Sequence, residues 1–76
     1  MKTVQISLNS IDKVKSFVND ITKFDYDFDL VSDRYVIDAK SIMGIFSLDL
    51  SKPIDLSIHA EEDVDEILEV LKPYLI

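Results

Sequence analysis

Apolar residues recur at every second position in three stretches of this chain and at every third or fourth position in two others, and that switching of period narrows its fold more than any other feature. Val4, Ile6 and Leu8 alternate with Thr3, Gln5 and Ser7, which predicts a first strand with one face in a core and one in water. The cap-type residues Asn9 and Ser10 then precede Ile11, Val14, Val18 and Ile21, with Phe17 widening the stripe, so an amphipathic helix is expected to about Lys23. Tyr26, Phe28 and Leu30 alternate with Asp25, Asp27 and Asp29, and after a turn at Ser32-Asp33-Arg34 the run Tyr35, Val36 and Ile37 completes a hairpin. That turn lacks the Asn-Gly or Asp-Gly pair of a tight type I′ loop, so its length is open by a residue or two. From Ser41 to Leu48 the chain is apolar without alternation, and Ser41 is a good N-cap, so a short helix is expected there.

Pro53 marks the next boundary, and Ile54, Leu56 and Ile58 alternate with Asp55, Ser57 and His59 as a fourth strand. The acidic run Glu61-Glu62-Asp63 stands where a helix dipole favours carboxylates, ahead of Val64, Ile67, Leu68 and Leu71, and Pro73 ends that helix. The order β-α-β-β-α-β-α predicts an α+β open-faced sandwich, a four-stranded antiparallel sheet with three helices on one face. Seventy-six residues with one Gly and two Pro leave room for a single domain over 1–76 and no linker. By the usual scaling such a domain has roughly 4–11 kcal/mol of unfolding free energy.

Fifteen acidic against eight basic residues give a net charge of -7, which argues against phosphate backbones and anionic membrane surfaces as direct partners. With no cysteine there is no disulfide, no thiolate nucleophile and no Cys-type zinc site. The first residues lack an apolar run of signal-peptide length, and no window approaches the ~18 apolar residues of a membrane span, so the expected compartment is the cytoplasm.

Asp25, Asp27 and Asp29 begin like a calcium loop, but that loop needs glycine sixth and glutamate twelfth, where this chain has Leu30 and Val36. They read instead as a charged outer strand face, and the carboxylates from Glu61 to Glu69 as the solvated face of a helix, so no metal is expected. His59, the lone imidazole, shares the parity of Asp55 and Ser57 and is expected at the surface without a role. Ser10 has no histidine near it in sequence to act as its base, which makes it a helix cap rather than a nucleophile. No catalytic constellation and no cofactor site emerge. The short helix is the more telling segment, because Ile42, Met43, Ile45 and Phe46 exceed what two turns bury on one face. They are either core or a partner-docking patch, and Gly44 among them implies close packing or a partner near the backbone.

At Lys40-Ser41-Ile42-Met43-Gly44, followed by Ile45-Phe46-Ser47-Leu48 and preceded by Lys23-Phe24-Asp25-Tyr26-Asp27, the chain resembles the histidine-containing phosphocarrier (HPr) family of the bacterial phosphoenolpyruvate-dependent sugar phosphotransferase system. The resemblance covers about Val4 to Leu71 and implies the same open-faced sandwich. In that family the phosphoryl acceptor is a histidine in a His-Ala-Arg-Pro stretch opening the first helix. Counted back from the serine motif, that stretch falls on Ser10-Ile11-Asp12-Lys13, so serine stands for the histidine and Asp12 for the arginine. The resemblance places His59 at the far end of the sheet from Ser10, where it cannot substitute. Ser41 matches the regulatory serine that HPr kinase/phosphorylase modifies, and a phosphate there would add nearly two negative charges at a helix N-terminus. A branch of the family concerned with catabolite repression also lacks the histidine and keeps the serine, and its phosphorylated form is a corepressor for a LacI-type transcription regulator. The sequence reading is therefore a non-enzymatic HPr-like regulatory or binding module, with Ser41 as switch and Ile42, Met43 and Phe46 as docking contacts. The alternatives are a divergent phosphocarrier and an acidic interaction module that reuses the fold.

Overall fold

The computed structural model describes residues 2–32 and 35–76. Its elements are β1 (Lys2–Ile6), α1 (Ile11–Ile21), β2 (Asp27–Ser32), β3 (Tyr35–Asp38), α2 (Ile42–Ile45), β4 (Ile54–His59) and α3 (Val64–Leu71), followed by a 3-10 turn at Lys72–Tyr74. The strands form one antiparallel sheet in the order β1-β4-β2-β3, and the three helices cover one face of it, as the periodicity predicts. Ser32 pairs with Tyr35, and the turn expected at Asp33 and Arg34 lies outside the described residues.

The period of two places one side of β4 in the core. Ile54, Leu56 and Ile58 are buried, and they pair with Ile6, Val4 and Lys2 of β1, while Leu56 and Ile58 also pair with Leu30 and Phe28 of β2. Above this layer lie Val14, Phe17, Val18 and Ile21 of α1, Ile45 of α2, and Ile67 and Leu71 of α3, in one continuous cluster. Burying a side chain of this size stabilises a fold by about 1.5–3 kcal/mol, so these stripes hold the helices on the sheet. Asp55, Ser57 and His59 point the other way, onto the open face.

Several local expectations are corrected by tertiary contacts. The first strand ends at Ile6, because the Ser7 N–H turns to the carbonyl of Tyr74 at 2.9 Å, yet Leu8 stays fully buried beyond the strand end. Ile11 is 61% exposed, since the buried stripe of α1 begins one turn later at Val14. Strand β2 starts at Asp27 rather than Asp25, and the Tyr26 hydroxyl donates to the Asp63 carboxylate at 2.9 Å. Asp63 adopts a left-handed backbone (φ 61°) that an aspartate tolerates, and its side chain serves Tyr26 instead of capping α3. Pro73 sits one residue past the start of the 3-10 turn and thus after the end of α3.

Gly44 settles the choice left open for the short helix. A Cβ on it would lie 2.5 Å from Cγ2 of Ile37, so α2 packs directly against β3 through the missing side chain. Alanine is the better helix former by about 1 kcal/mol, but here overpacking wins. Gly44→Ala is expected to destabilise the fold by about 1–3 kcal/mol in urea denaturation, with an unchanged m-value.

Tyr74 closes the other side of the core. It is 5% exposed, its ring meets Phe17 edge to face at 5.5 Å, and its hydroxyl donates to Asp20 Oδ2 at 2.9 Å. Burial, and then the hydrogen bond to Asp20, push the phenol from its ordinary 10.0 up to about 12. The folded state thus favours the neutral phenol, so this stabilisation is complete below pH 10 and disappears as the pH rises toward 12. Tyr26 shifts upward as well, first through its bond to Asp63, and adds in the same direction. The urea midpoint should fall between about pH 10 and 12, and Tyr74→Phe should remove most of that dependence.

Candidate functional site

Two helix starts carry the candidate residues. At the first, Ser10 is extended (φ -148°, ψ 157°) and its Oγ accepts the Lys13 N–H at 3.1 Å. This is an N-cap, in which the hydroxyl oxygen already serves a backbone donor. Asp12 lies in the first turn of α1, where the positive end of the helix dipole favours a carboxylate. Asp12, Lys13 and Ser16 form one wall of a groove of about 230 Å³, and Pro73 and Tyr74 form the other. The groove thus offers a phosphoryl group a carboxylate beside a single ammonium, with no imidazole among its walls.

The only histidine is remote from it. Ile54 pairs with Ile6 at the end of β4 nearest α1, and His59 is five residues further along that strand, roughly 17 Å away. His59 lies exposed on the open face of the sheet, as its parity predicts, and its Nε2 is 2.8 Å from Asp29 Oδ2 across that face. Asp27, Phe28, Asp29 and Asp38 surround it in a shallow hollow. This pair joins residues from β4 and β2 whose sequence separation gave no hint of contact. Among the described residues, no group of three or more His, Asp or Glu is placed to hold a metal ion, and no helix is long and apolar enough to cross a membrane.

The second helix start is built differently. Ser41 caps α2, with its Oγ accepting the Gly44 N–H at 3.2 Å. The backbone leading into it is fixed by Asp38, whose carbonyl accepts the Ser41 N–H at 3.0 Å and whose Oδ1 accepts the Lys40 N–H at 2.9 Å. The Lys40 side chain turns inward instead, donating to the Phe24 carbonyl at 2.8 Å with its ammonium 5.6 Å from the Phe28 ring centre. The Lys23-Phe24-Asp25-Tyr26-Asp27 and Lys40-Ser41 segments are therefore parts of one joint. Sequence reading treated them separately, since only the folded hairpin brings Lys40 to Phe24. Of the four apolar side chains here Ile45 is fully buried, whereas Ile42 is 37%, Met43 81% and Phe46 42% exposed. Ser41 itself is half-buried at the edge of that patch.

Comparison with known proteins agrees with this architecture. A family profile described as "PTS HPr component phosphorylation site" matches residues 13–75, a stretch that starts just past Ser10 and Asp12. The chain is 38% identical over 60 residues to the HPr-like protein Crh of Bacillus subtilis (strain 168), an alignment covering 78% of this chain and 71% of that protein. Among solved structures, HPr-C-His from Thermoanaerobacter tengcongensis superposes with a TM-score of 0.77 at 30% identity, over 96% of this chain and 89% of that one. The phosphocarrier protein HPr from Bacillus anthracis str. Ames superposes with a TM-score of 0.71 at 32% identity, over 99% and 94%. On its sequence, its strand order and these matches, the chain belongs to the HPr phosphocarrier family of the phosphotransferase system.

Proposed function

We propose that this protein is a regulatory member of the HPr family that does not relay phosphoryl groups and is switched by phosphorylation of Ser41. The observation that carries this reading is the state of Ser10: a capping hydroxyl, next to the acidic Asp12, with the lone histidine at the other end of β4. An imidazole phosphoramidate is a high-energy donor and a serine ester is not, so Ser10 offers a poor relay even if modified. The negative charge of Asp12 also opposes the phosphoryl group that an arginine would hold.

At Ser41 the chemistry favours a switch. The Gly44 N–H that Ser41 Oγ accepts is available to a phosphate oxygen, so modification keeps the cap while adding nearly two charges beside Ile42, Met43 and Phe46. A partner that reads the modified form would combine an arginine or lysine for the phosphate with an apolar seat for Met43 and Phe46. HPr kinase/phosphorylase is the modifying enzyme this reading names, and a LacI-type transcription regulator the reader. Such a role takes place in the cytoplasm, among proteins, with no direct contact to nucleic acid or membrane.

Intact mass after incubation with HPr kinase and ATP, beside a second tube with Enzyme I and phosphoenolpyruvate, tests the reading. One phosphoryl group from the kinase alone is expected, and none in Ser41→Ala. That variant should lose only the cap, about 0.5–2 kcal/mol, and otherwise stay folded. An acid-labile phosphoryl group from Enzyme I would restore a carrier role, and no modification in either tube would leave the fold as a binding module alone.

A further inference from the structure

The lysines of this chain differ in what their ammonium groups meet. Lys23, Lys52 and Lys72 are exposed, and each faces a carboxylate three residues away, at 3.9, 3.9 and 3.2 Å. Solvated pairs of that kind contribute little. Lys40 is half-buried, and its ammonium donates at 2.8 Å to the carbonyl of Phe24, sixteen residues away, while lying 5.6 Å from the centre of the Phe28 ring. Ordering a long, strongly hydrated side chain against a neutral acceptor costs entropy and hydration, and what this contact fixes is the chain entering α2. That chain also has contacts to the hairpin. The Asp38 carbonyl accepts the Ser41 N–H, the Ala39 N–H donates to the Phe28 carbonyl at 2.8 Å, and Gly44 lies on Ile37. These reach into β2 and β3. Lys40 braces the same chain in a second direction, onto the loop that leaves α1, where the Phe24 N–H donates to the Ile21 carbonyl at 3.1 Å. A helix of four residues does not hold its own first turn, so the position of the Ser41 hydroxyl depends on such outside supports.

We propose that Lys40 is a positioning residue for Ser41: tied to Phe24, it keeps the Ser41 hydroxyl in the capping position from which it is modified. The inference rests on the reading of Ser41 as the modified residue and deepens it by naming what presents the hydroxyl. In that reaction Ser41 Oγ bonds to the γ-phosphorus of ATP, the bond to the departing ADP oxygen breaks, and the hydroxyl proton passes to a base of the kinase. Such a transfer depends on where the attacking oxygen is held, and a displacement of about 1 Å costs on the order of 100-fold in rate. The Lys40 ammonium points inward, whereas Ile42, Met43 and Phe46 are exposed. Docking and orientation are therefore separable: the apolar patch governs KM, and the brace behind Ser41 governs kcat.

Lys40→Met keeps most of the stem and removes the ammonium, and Lys72→Met, at an exposed position near the segment that bridges to β1, controls for the loss of one charge. Amide hydrogen exchange by NMR on the whole chain reads the cap directly. The Leu56 amide of β4 reports global unfolding and follows any loss of stability, whereas the Gly44 amide, which donates to Ser41 Oγ, opens locally. Gly44 should exchange roughly tenfold faster in Lys40→Met, the worth of one hydrogen bond from a charged group, and at the wild-type rate in Lys72→Met. With HPr kinase and ATP, at a temperature where every variant is folded by circular dichroism, Lys40→Met should lower kcat roughly tenfold at an unchanged KM. A merely destabilised fold would move neither constant there. Lys40→Arg, which keeps a cation able to donate to the carbonyl and to lie over the ring, should recover most of both effects. A Gly44 amide that stays slow while Leu56 speeds up, or a raised KM with kcat kept, would overturn the positioning role. A wild type that the kinase leaves unmodified overturns the Ser41 reading and this role with it, whereas equal kcat in wild type and Lys40→Met overturns the positioning alone.

Discussion

The sheet has no continuity without β4. Strands β1 and β2 are never neighbours; each is joined to the other only through residues 54–59, which arrive late in the chain and insert between them. Its buried side, Ile54, Leu56 and Ile58, is therefore the floor on which all three helices rest. Both candidate positions inherit their placement from it. Ser10 follows β1 and Ser41 follows β3, so their relative geometry is set only once β4 has paired on both sides. Such pairing is non-local, and loop-closure entropy opposes it until the apolar face is covered. The steep dependence on one strand also explains why its parity is so strict: a one-residue slip would put Asp55, Ser57 and His59 in the core.

On that floor the two helix starts have diverged in chemistry while sharing the capping geometry. At Ser10 the cap and Asp12 both suit an isolated helix, since the hydroxyl satisfies a backbone donor and the carboxylate complements the dipole. What stabilises the helix there, a capping hydroxyl and a carboxylate, is also what the proposed non-relaying role rests on. At Ser41 the single-turn helix α2 is too short to stand by its own hydrogen bonds. It is held by Gly44 against Ile37, by Ile45 in the core, and by Lys40 tying the preceding loop to Phe24. The apolar residues left over, Ile42, Met43 and Phe46, remain partly or largely exposed beside it.

The sequence made the fold legible where burial alone determines it. The alternation of β2 and β4 and the stripe of α1 from Val14 to Ile21 all lie where the periods put them. The reading failed where a partner distant in sequence decides the outcome. Ile11 keeps the period but stays exposed, and Tyr26 leaves the strand to bond Asp63; His59 is at the surface as its parity predicts, though its Asp29 partner had no signal in the sequence. The Tyr74–Asp20 hydrogen bond has no local signal at all, since a tyrosine after Pro73 reads as a helix end. For the candidate site, motif spacing located Ser10, Asp12 and Ser41, but it could not show that Lys40 is spent on Phe24 and is therefore turned away from the outward patch.

Charge placement then bears on how a partner can approach. Asp29 and Asp38 are direct cross-strand neighbours on the open face, a like-charge pairing that costs stability, and His59 meets only one of them. With Asp27 and Asp55 on the same face, that surface repels acidic partners and other copies of itself, which also keeps the sheet from stacking face to face. The stretch from Ser41 to Leu48 carries no charge at all. A phosphate added to the acidic face would be one more negative group among many, whereas at Ser41 it would stand at the start of an uncharged, apolar stretch, with Asp38 and Lys40 of the preceding loop as its neighbouring charges. In the proposed role, it is this contrast between the two surfaces, more than the presence of a serine, that would let a phosphate at Ser41 change what the protein binds.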